Sequence, residues 1–221
     1  MDTRKIKCVI FDCDGTLVDS ERLTCQALVD VFASYGADIN PDEYMSNFQG
    51  GKMFDILKQT SERAGVLIPM EILEPRFRER LNQLFDEHLK PIPFAVETVQ
   101  KLQELDIEVC VASNGPQSKM KHSLERTGLL PFFENKIFSA FDINSWKPEP
   151  DLLLYAAMQM GYRVEECLFV DDTETGVMAG VNAGLTTVYF SPQQQDKSPD
   201  LNDVYCVQCL SEIPEWFSVQ V

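Results

Sequence analysis

Short runs of consecutive apolar residues recur along the chain, and each one ends abruptly at polar residues. The first run is Cys8–Phe11, and two later runs end at Ala112 and Val170. None of them alternates between apolar and polar positions, so the pattern predicts strands that are buried on both faces of a sheet. Strands of this kind are typical of a parallel sheet that has helices on both sides.

Between these runs, the apolar residues fall at helical spacing. Residues 117–127, 151–160 and 176–182 show this spacing, and each stretch is flanked by strand-like runs. Because strands and helices alternate, the chain is predicted to be an α/β protein with a doubly wound, mostly parallel sheet, a Rossmann-like core. Residues 204–210 predict an edge strand, and residues 213–217 predict a closing helix.

The stretch directly behind the first strand has a different pattern. Residues 20–35, 53–64 and 70–89 show amphipathic helical spacing, and no strand signal lies among them. We therefore expect an α-helical cap domain over residues 18–91, inserted into an α/β core domain that is formed by residues 1–17 and 92–221.

Polar side chains follow three of the predicted strands at the point where each strand ends. They are Asp12 and Asp14 after the first strand, Ser113 and Asn114 after the second, and Asp171 and Asp172 after a later one. The carboxyl ends of parallel strands share one edge of the sheet, where ligands bind in folds of this class. We therefore expect these six side chains to converge, although they are far apart along the chain.

The spacing of the first two acids indicates a metal site. Carboxylates as close as those of Asp12 and Asp14 repel each other unless a cation lies between them or one is protonated. Mg²⁺ suits such a pair, because it takes one or two carboxylates and completes its shell with water and phosphate oxygens. The alternative is that Asp-x-Asp-Gly is only a polar turn, a common feature after a strand.

Lys147 adds a positive charge to this set. It lies between Trp146 and Pro148, and the prolines that follow hold an extended loop ahead of a helix. Together with a metal and the Ser113 hydroxyl, this ammonium would neutralise a dianionic phosphoryl group. An aspartate can attack such a group to form an aspartyl-phosphate, and Asp14 is placed to act as general acid and then as general base.

Composition limits the classes of binding partner and indicates the cellular compartment. The 19 basic and 35 acidic side chains give a net charge of −16, which disfavours binding to nucleic acid or to an anionic membrane. The sequence shows no membrane-length apolar stretch and no signal peptide, and its seven cysteines are scattered, so a cytoplasmic protein is expected. The one close pair, Cys206 and Cys209, has no second pair with which to bind zinc, and we expect both thiols to be buried.

Taken in order, four segments resemble the four motifs of the haloacid dehalogenase superfamily, in its branch with a helical cap after the first motif. The segments are Asp12-x-Asp14-Gly15-Thr16-Leu17-Val18, Ser113-Asn114, Lys147-Pro148 and Asp171-Asp172. The resemblance implies that Asp12 is the nucleophile and a Mg²⁺ ligand. It also implies that Asp14 is the general acid and base, and that its backbone carbonyl binds the metal.

The remaining site residues follow from the same resemblance. Ser113 and Asn114 would bind the transferring phosphoryl group, and Lys147 would neutralise it. Asp171 and Asp172 would complete the metal site, with Asp172 as the stronger candidate for direct ligation.

Within this branch the chain resembles bacterial 6-phosphogluconate phosphatases and, more distantly, β-phosphoglucomutases. The segments that carry this resemblance include Phe48-Gln49-Gly50-Gly51-Lys52-Met53 and Lys119-Met120. We therefore expect a Mg²⁺-dependent phosphatase that acts on a small phosphorylated metabolite, such as a sugar phosphate or 6-phosphogluconate. Lys52 is expected to contact an anionic group of the substrate, with a solvated lysine at a helix start as the equal alternative.

Two other functions stay open at this point. An isomerase of the β-phosphoglucomutase type would use the same nucleophile but return the phosphoryl group to sugar, and the difference would lie in how water is excluded. A regulatory protein that binds a phosphorylated metabolite without turnover is the non-enzyme alternative, although both Asp12 and Asp14 are present.

Overall fold

The computed structural model describes residues 5–41, 53–192 and 203–218. The chain forms two compact units: one consists of Met1–Val18 with Pro91–Val221, and the other consists of Asp19–Lys90. Lys52 and the loop expected around it lie outside the described residues, as does the polar stretch 193–202.

In the described residues, the first unit is built on a six-stranded sheet. Its strands are β1 (Cys8–Phe11), β2 (Glu108–Ser113), β3 (Ile137–Ser139), β4 (Cys167–Asp171), β5 (Thr186–Phe190) and β6 (Val204–Val207). Their order across the sheet is β3-β2-β1-β4-β5-β6, and every neighbouring pair is parallel. This arrangement confirms the predicted α/β class and the doubly wound sheet.

Helices connect these strands and also make up the described part of the second unit. They are α1 (Glu21–Ala33), α2 (Met53–Ala64), α3 (Met70–His88), α4 (Ala95–Glu104), α5 (Gln117–Arg126), α6 (Ala140–Ile143), α7 (Asp151–Met160), α8 (Glu174–Ala183) and α9 (Glu212–Ser218). In the described part of the chain, no helix is both long and apolar enough to span a bilayer.

The register of the central strands brings their carboxyl ends to the same level. Phe11, the last residue of β1, lies opposite Val111 of β2 on one side and Val170 of β4 on the other. The Asp12 amide still donates to the Val170 carbonyl at 2.9 Å, so the ladder continues one residue beyond the strand. The polar residues that follow these three strands therefore share one edge of the sheet.

The core on one face of the sheet is formed largely by α7. Leu152 and Ala156 on this helix belong to one buried cluster with Ile10, Ala112 and Phe169 of the central strands. All five side chains are fully buried, which explains why the strands read as unbroken apolar runs. Burial of this kind fixes the strand ends from which the site is built.

The described part of Asp19–Lys90 contains the helices α1, α2 and α3, joined by turns and irregular segments, and no strand. Leu28 and Phe32 of α1 are buried, as are Leu73 and Phe77 of α3. An ion pair of 2.7 Å between Arg80 Nε and Asp30 Oδ2 joins α3 to α1 near this core.

The chain leaves and re-enters the sheet-containing unit at adjacent points. Val18 forms an antiparallel bridge with Pro91, and the Ile92 amide donates to the Leu17 carbonyl at 2.9 Å. At the ends of the helical unit, the Asp19 amide donates to the Lys90 carbonyl at 3.0 Å.

Three expectations differ from the structure. The strand predicted over residues 204–210 ends at Val207, because the Gln208 and Cys209 amides donate to Glu212 Oε1 at 2.9 and 2.8 Å instead of continuing the ladder. The helix predicted to begin at residue 176 begins at Glu174, because the Thr173 hydroxyl caps it by accepting a hydrogen bond from the Gly176 amide at 3.0 Å. The prediction that Cys206 and Cys209 are buried is wrong, since Cys206 is exposed and Cys209 is half-buried. Cys206 lies on the edge strand β6, whose outer side chains are open to solvent.

Candidate active site

A buried lysine joins two of the predicted acids. Lys147 Nζ donates to Asp12 Oδ1 at 2.5 Å and to Asp171 Oδ2 at 2.8 Å. The Lys147 side chain is only 4% exposed, and its ammonium lies 4.9 Å from the centroid of the Phe169 ring. Ion pairs of this kind are screened little by solvent, so the three groups form one charge cluster at the sheet edge.

The surroundings shift the protonation equilibria of this cluster. Burial raises the pKa of Asp12 to about 6; Lys147 opposes this shift, whereas the charges of Asp171 and Asp14 add to it. Burial alone lowers the pKa of Lys147, but the two carboxylates outweigh burial and raise the pKa of its ammonium above its ordinary value. At neutral pH the cluster therefore holds an ionised Asp12 beside a cationic Lys147.

Hydrogen bonds fix Asp171 on its other side. Its Oδ1 accepts from the Thr173 amide at 2.8 Å and from the Thr173 hydroxyl at 2.7 Å. A Cβ on Gly176 would overlap the Asp171 carboxylate, so a glycine is required where α8 passes this group. Both oxygens of Asp171 are thus engaged by protein donors.

The two polar residues at the end of β2 have different surroundings. Asn114 Oδ1 accepts a hydrogen bond from the Lys147 backbone amide at 2.9 Å, which ties the lysine loop to β2. This bond identifies the Asn114 oxygen, so the amide nitrogen of that side chain is the group able to donate to a ligand. Ser113 is buried as the last residue of β2 and lies opposite Ser139 of β3.

Asp14 forms an ion pair with a different lysine, Lys119, which was not among the predicted site residues. Lys119 Nζ donates to Asp14 Oδ2 at 2.7 Å, and the two side chains are 19% and 26% exposed respectively. Lys119 lies in the first turn of α5. Besides the resemblance carried by Lys119-Met120, its position in a turn where the helix dipole disfavours a cation is a sequence signal that could have marked it.

Asp172 packs against the turn that follows β1. Its Oδ1 accepts from the Thr16 hydroxyl at 2.6 Å, and a Cβ on Gly15 would overlap its carboxylate. Gly15 also has a φ of +79°, so this position requires glycine both for its backbone conformation and for the close approach of Asp172. Asp172 therefore lies beside the backbone of the Asp12–Gly15 turn.

The donor set at this turn fits a hard cation. Among the described residues, no group of three or more acidic, histidine or cysteine side chains has the placement of a complete metal site. Mg²⁺ needs only one or two carboxylates, with the rest of its shell filled by carbonyl, water and phosphate oxygens. Asp12 and Asp172 are the carboxylates expected to bind it, and the close packing of Asp172 on Gly15 brings Asp172 to the turn that carries the Asp14 carbonyl.

The structure thus places seven of the eight predicted site residues at one edge of the sheet. Asp12, Asp171, Lys147 and Asn114 are linked by direct hydrogen bonds, and Asp14, Asp172 and Ser113 lie in the flanking turns and strand end. Lys52 lies outside the described residues. The chemical roles of all eight residues stay predictions.

Comparisons with known proteins agree with the fold and with the resemblance found in the sequence. A profile of haloacid dehalogenase-like hydrolases matches residues 9–190. The 6-phosphogluconate phosphatase of Escherichia coli K12 is 37% identical over 211 residues, which cover 96% of this chain and 94% of the relative. A phosphatase of phosphorylated carbohydrates from Thermotoga maritima is 28% identical and covers 83% of this chain and 84% of its own length.

A solved structure shares the fold at lower identity. A Thermotoga maritima protein assigned as a β-phosphoglucomutase superposes with a TM-score of 0.80 at 24% identity, covering 98% of this chain and all of the other. This similarity extends the shared architecture over nearly the whole chain.

Proposed function

The chain belongs to the haloacid dehalogenase-like hydrolases, and we propose that it is a Mg²⁺-dependent phosphatase that forms an aspartyl-phosphate on Asp12. Two of its relatives are a 6-phosphogluconate phosphatase and a phosphatase of phosphorylated carbohydrates, which supports a sugar phosphate as the substrate class. We propose a sugar-acid phosphate such as 6-phosphogluconate as the preferred substrate. A cytoplasmic location, where such metabolites are found, is part of the same proposal.

The observation that carries the proposal is the buried ammonium of Lys147 between Asp12 and Asp171. A cation held beside the nucleophile by two carboxylates is already in place when a dianionic phosphoryl group arrives, so no reorganisation is needed. Phosphoryl transfer depends mainly on such positioning and charge neutralisation. In this reading, Asp171 acts through Lys147 and Asp172 is the direct metal ligand.

The first half-reaction forms a bond between Asp12 and phosphorus. A carboxylate oxygen of Asp12 attacks the phosphorus in line with the ester oxygen, and the bond from phosphorus to that oxygen breaks. Asp14 donates its proton to the leaving oxygen, which departs as an alcohol. Ser113 and Asn114 donate to the oxygens of the transferring group, and Lys147 neutralises their charge.

The second half-reaction returns the enzyme to its starting state. Asp14, now a carboxylate, takes a proton from water, and the water oxygen attacks the phosphorus of the aspartyl-phosphate. The bond between phosphorus and Asp12 breaks, which releases inorganic phosphate and restores both acids. When bound by Asp12, Asp172 and the Asp14 carbonyl, Mg²⁺ would add positive charge at the phosphate oxygens.

Phosphate release from a panel of phosphorylated metabolites, with Mg²⁺ and with chelator, tests this function. We expect turnover only with Mg²⁺, an acid-stable phosphoprotein whose label maps to Asp12, and loss of both in Asp12→Asn. Asp14→Asn should slow both half-reactions while Mg²⁺ still binds. A fully active Asp12→Asn protein would contradict the mechanism, and glucose 6-phosphate produced from β-glucose 1-phosphate without phosphate release would indicate a mutase.

Lys52 gives a separate test of substrate choice. If it contacts the carboxylate of a sugar acid, Lys52→Ala should reduce kcat/KM for 6-phosphogluconate more than for an uncharged sugar phosphate. An equal loss on both substrates would assign it no part in selecting the charged substrate.

A further inference from the structure

Each of the two acids after β1 is paired with a different lysine. Asp12 is held by Lys147 and Asp14 by Lys119, with contacts of 2.5 and 2.7 Å. We propose that Lys119 is a positioning residue, which orients the Asp14 carboxyl for proton transfer to the leaving group. This inference rests on the proposed function, in which Asp14 is the general acid and base.

The segment that carries Lys119 is anchored at several points. The Ser139 hydroxyl donates to the Gly115 carbonyl at 2.7 Å, just before α5, and the Gln117 side-chain amide donates to Asp142 Oδ2 at 2.8 Å. The Ser139 amide donates to that same oxygen of Asp142 at 3.0 Å. The start of α5 is therefore held against the end of β3 by these hydrogen bonds, which fixes the backbone from which the Lys119 side chain extends to Asp14.

The local structure leaves room for this contact. A Cβ on Gly115 would lie 3.7 Å from Asp14 Oδ2 and 3.8 Å from Lys119 Cδ, so this glycine borders both partners. The side chains of Asp14 and Lys119 are about three-quarters or more buried, which reduces the solvent screening of their attraction. The ion pair therefore restrains the Asp14 carboxylate more strongly than a surface pair would.

Helix energetics give no reason for a lysine at this position. A cation in the first turn of a helix is disfavoured by the helix dipole, and the first turn of α5 contains no acidic residue to offset this. A residue that breaks a local preference usually serves a need elsewhere in the fold. Here that need is the contact of Lys119 with Asp14, the proposed proton carrier.

A general acid matters most when the leaving group is a poor one. An alkoxide needs a proton as its bond to phosphorus breaks, whereas 4-nitrophenolate leaves as a stable anion. Because kcat/KM reports only steps up to aspartyl-phosphate formation, it isolates the half-reaction in which Asp14 is the acid. Misplacing Asp14 should therefore reduce kcat/KM for sugar phosphates far more than for 4-nitrophenyl phosphate.

The experiment compares Lys119→Met with Lys119→Arg and with Lys121→Met, which removes an exposed lysine from the same helix. The substrates are 6-phosphogluconate, glucose 6-phosphate and 4-nitrophenyl phosphate, all with Mg²⁺. For Lys119→Met we expect kcat/KM to fall about 10- to 100-fold on both sugar phosphates, and less than about threefold on the aryl ester. Lys119→Arg should recover part of the loss, and Lys121→Met should behave as the unaltered protein.

Two results would overturn the inference. Equal losses on all three substrates would assign Lys119 to phosphate binding or to the fold alone, and a loss confined to 6-phosphogluconate would assign it to the substrate carboxylate. If Lys119→Met does not fold, as judged by its thermal unfolding, Lys119→Gln replaces it with the same expected pattern. Absence of turnover by the unaltered protein on every substrate would refute the proposed function itself.

Discussion

The Asp171 carboxylate occupies the space that a Cβ on Gly176 would fill. Gly176 lies in the first turn of α8, so helix propensity and close packing make opposite demands on this position. Replacing glycine by alanine within a helix stabilises by up to about 1 kcal/mol, whereas forcing an extra carbon into a packed site costs about 1–3 kcal/mol. The packing cost is expected to dominate.

Gly176→Ala should therefore destabilise the protein and lower its activity, because the displaced Asp171 no longer holds Lys147. Urea unfolding followed by tryptophan fluorescence measures the first effect, and phosphate release measures the second. Met178→Ala, on an exposed part of the same helix, is the control and should change stability by less than about 0.5 kcal/mol. A more stable and fully active Gly176→Ala protein would mean that helix propensity decides at this position.

Lys147→Met should be more damaging than the loss of an ordinary ion pair. It leaves Asp12 and Asp171 buried without their shared cation, and breaking such a buried pair costs about 3–5 kcal/mol. Denaturant unfolding of the metal-free protein should show this loss, together with loss of phosphatase activity.

A double variant tests whether uncompensated charge causes the loss of stability in Lys147→Met. Asp171→Asn added to Lys147→Met removes one of the two stranded charges, so the double variant should be more stable than Lys147→Met alone. Additive losses in the two single variants would show that charge coupling is not what holds this cluster together.

Thr16→Val should weaken Mg²⁺ binding while the fold is kept. The Thr16 hydroxyl orients Asp172, the proposed metal ligand, through a hydrogen bond of 2.6 Å, and loss of a group that orients a metal ligand typically costs about 10- to 100-fold in affinity. Titration calorimetry with Mg²⁺ gives this value directly. Thr16→Ser retains the hydroxyl and should bind nearly as well; equal weakening in both variants would point to packing instead of the hydrogen bond.

Glu166, the residue just before β4, gives stability a pH dependence that is independent of the site. A hydrogen bond from Lys7, with a further one from the Arg163 amide, lowers the pKa of Glu166 to about 2. A carboxyl with a depressed pKa in the folded state stabilises above its unfolded pKa, near 4.5, and loses that contribution as the pH falls toward 2. Glu166→Gln should thus have a slightly lower urea midpoint at pH 7, with the difference shrinking below pH 4.5.

The exposed neighbour of this residue is the matched control. Glu165 lies 3.4 Å from Arg163 on the surface, and Glu165→Gln should leave the midpoint nearly unchanged at both pH values. A difference between Glu166→Gln and the unaltered protein that stays constant with pH would exclude the ion pair as its source.

Much of the fold and the positions of the site residues could be predicted from the sequence, for a simple geometric reason. Unbroken apolar runs identify buried parallel strands, and the ends of such strands must meet at one edge. That rule brought together Asp12, Ser113 and Asp171 from three distant parts of the chain, and the register of β1 with β2 and β4 confirms that they are neighbours.

The pairing of individual side chains could not be predicted in this way. Asp171 and Asp172 look alike in sequence, but successive residues at a strand end point in different directions, so one meets Lys147 and the other meets Thr16. The contact between Lys119 and Asp14 depends on how α5 is anchored to β3, which periodicity does not encode. Helical spacing reports which face is buried, and not which charged groups meet across it.

The pairing of the chain at Val18 and Pro91 affects how readily the helical unit can be replaced. Because the Asp19 amide bonds to the Lys90 carbonyl, the ends of the helical unit are as close together as the ends of a hairpin loop. Units with adjacent termini can be exchanged or shortened with little change in the chain entropy of the host domain. The bridge between Val18 and Pro91 is therefore a point at which another helical unit could be joined while the sheet-containing unit stays the same.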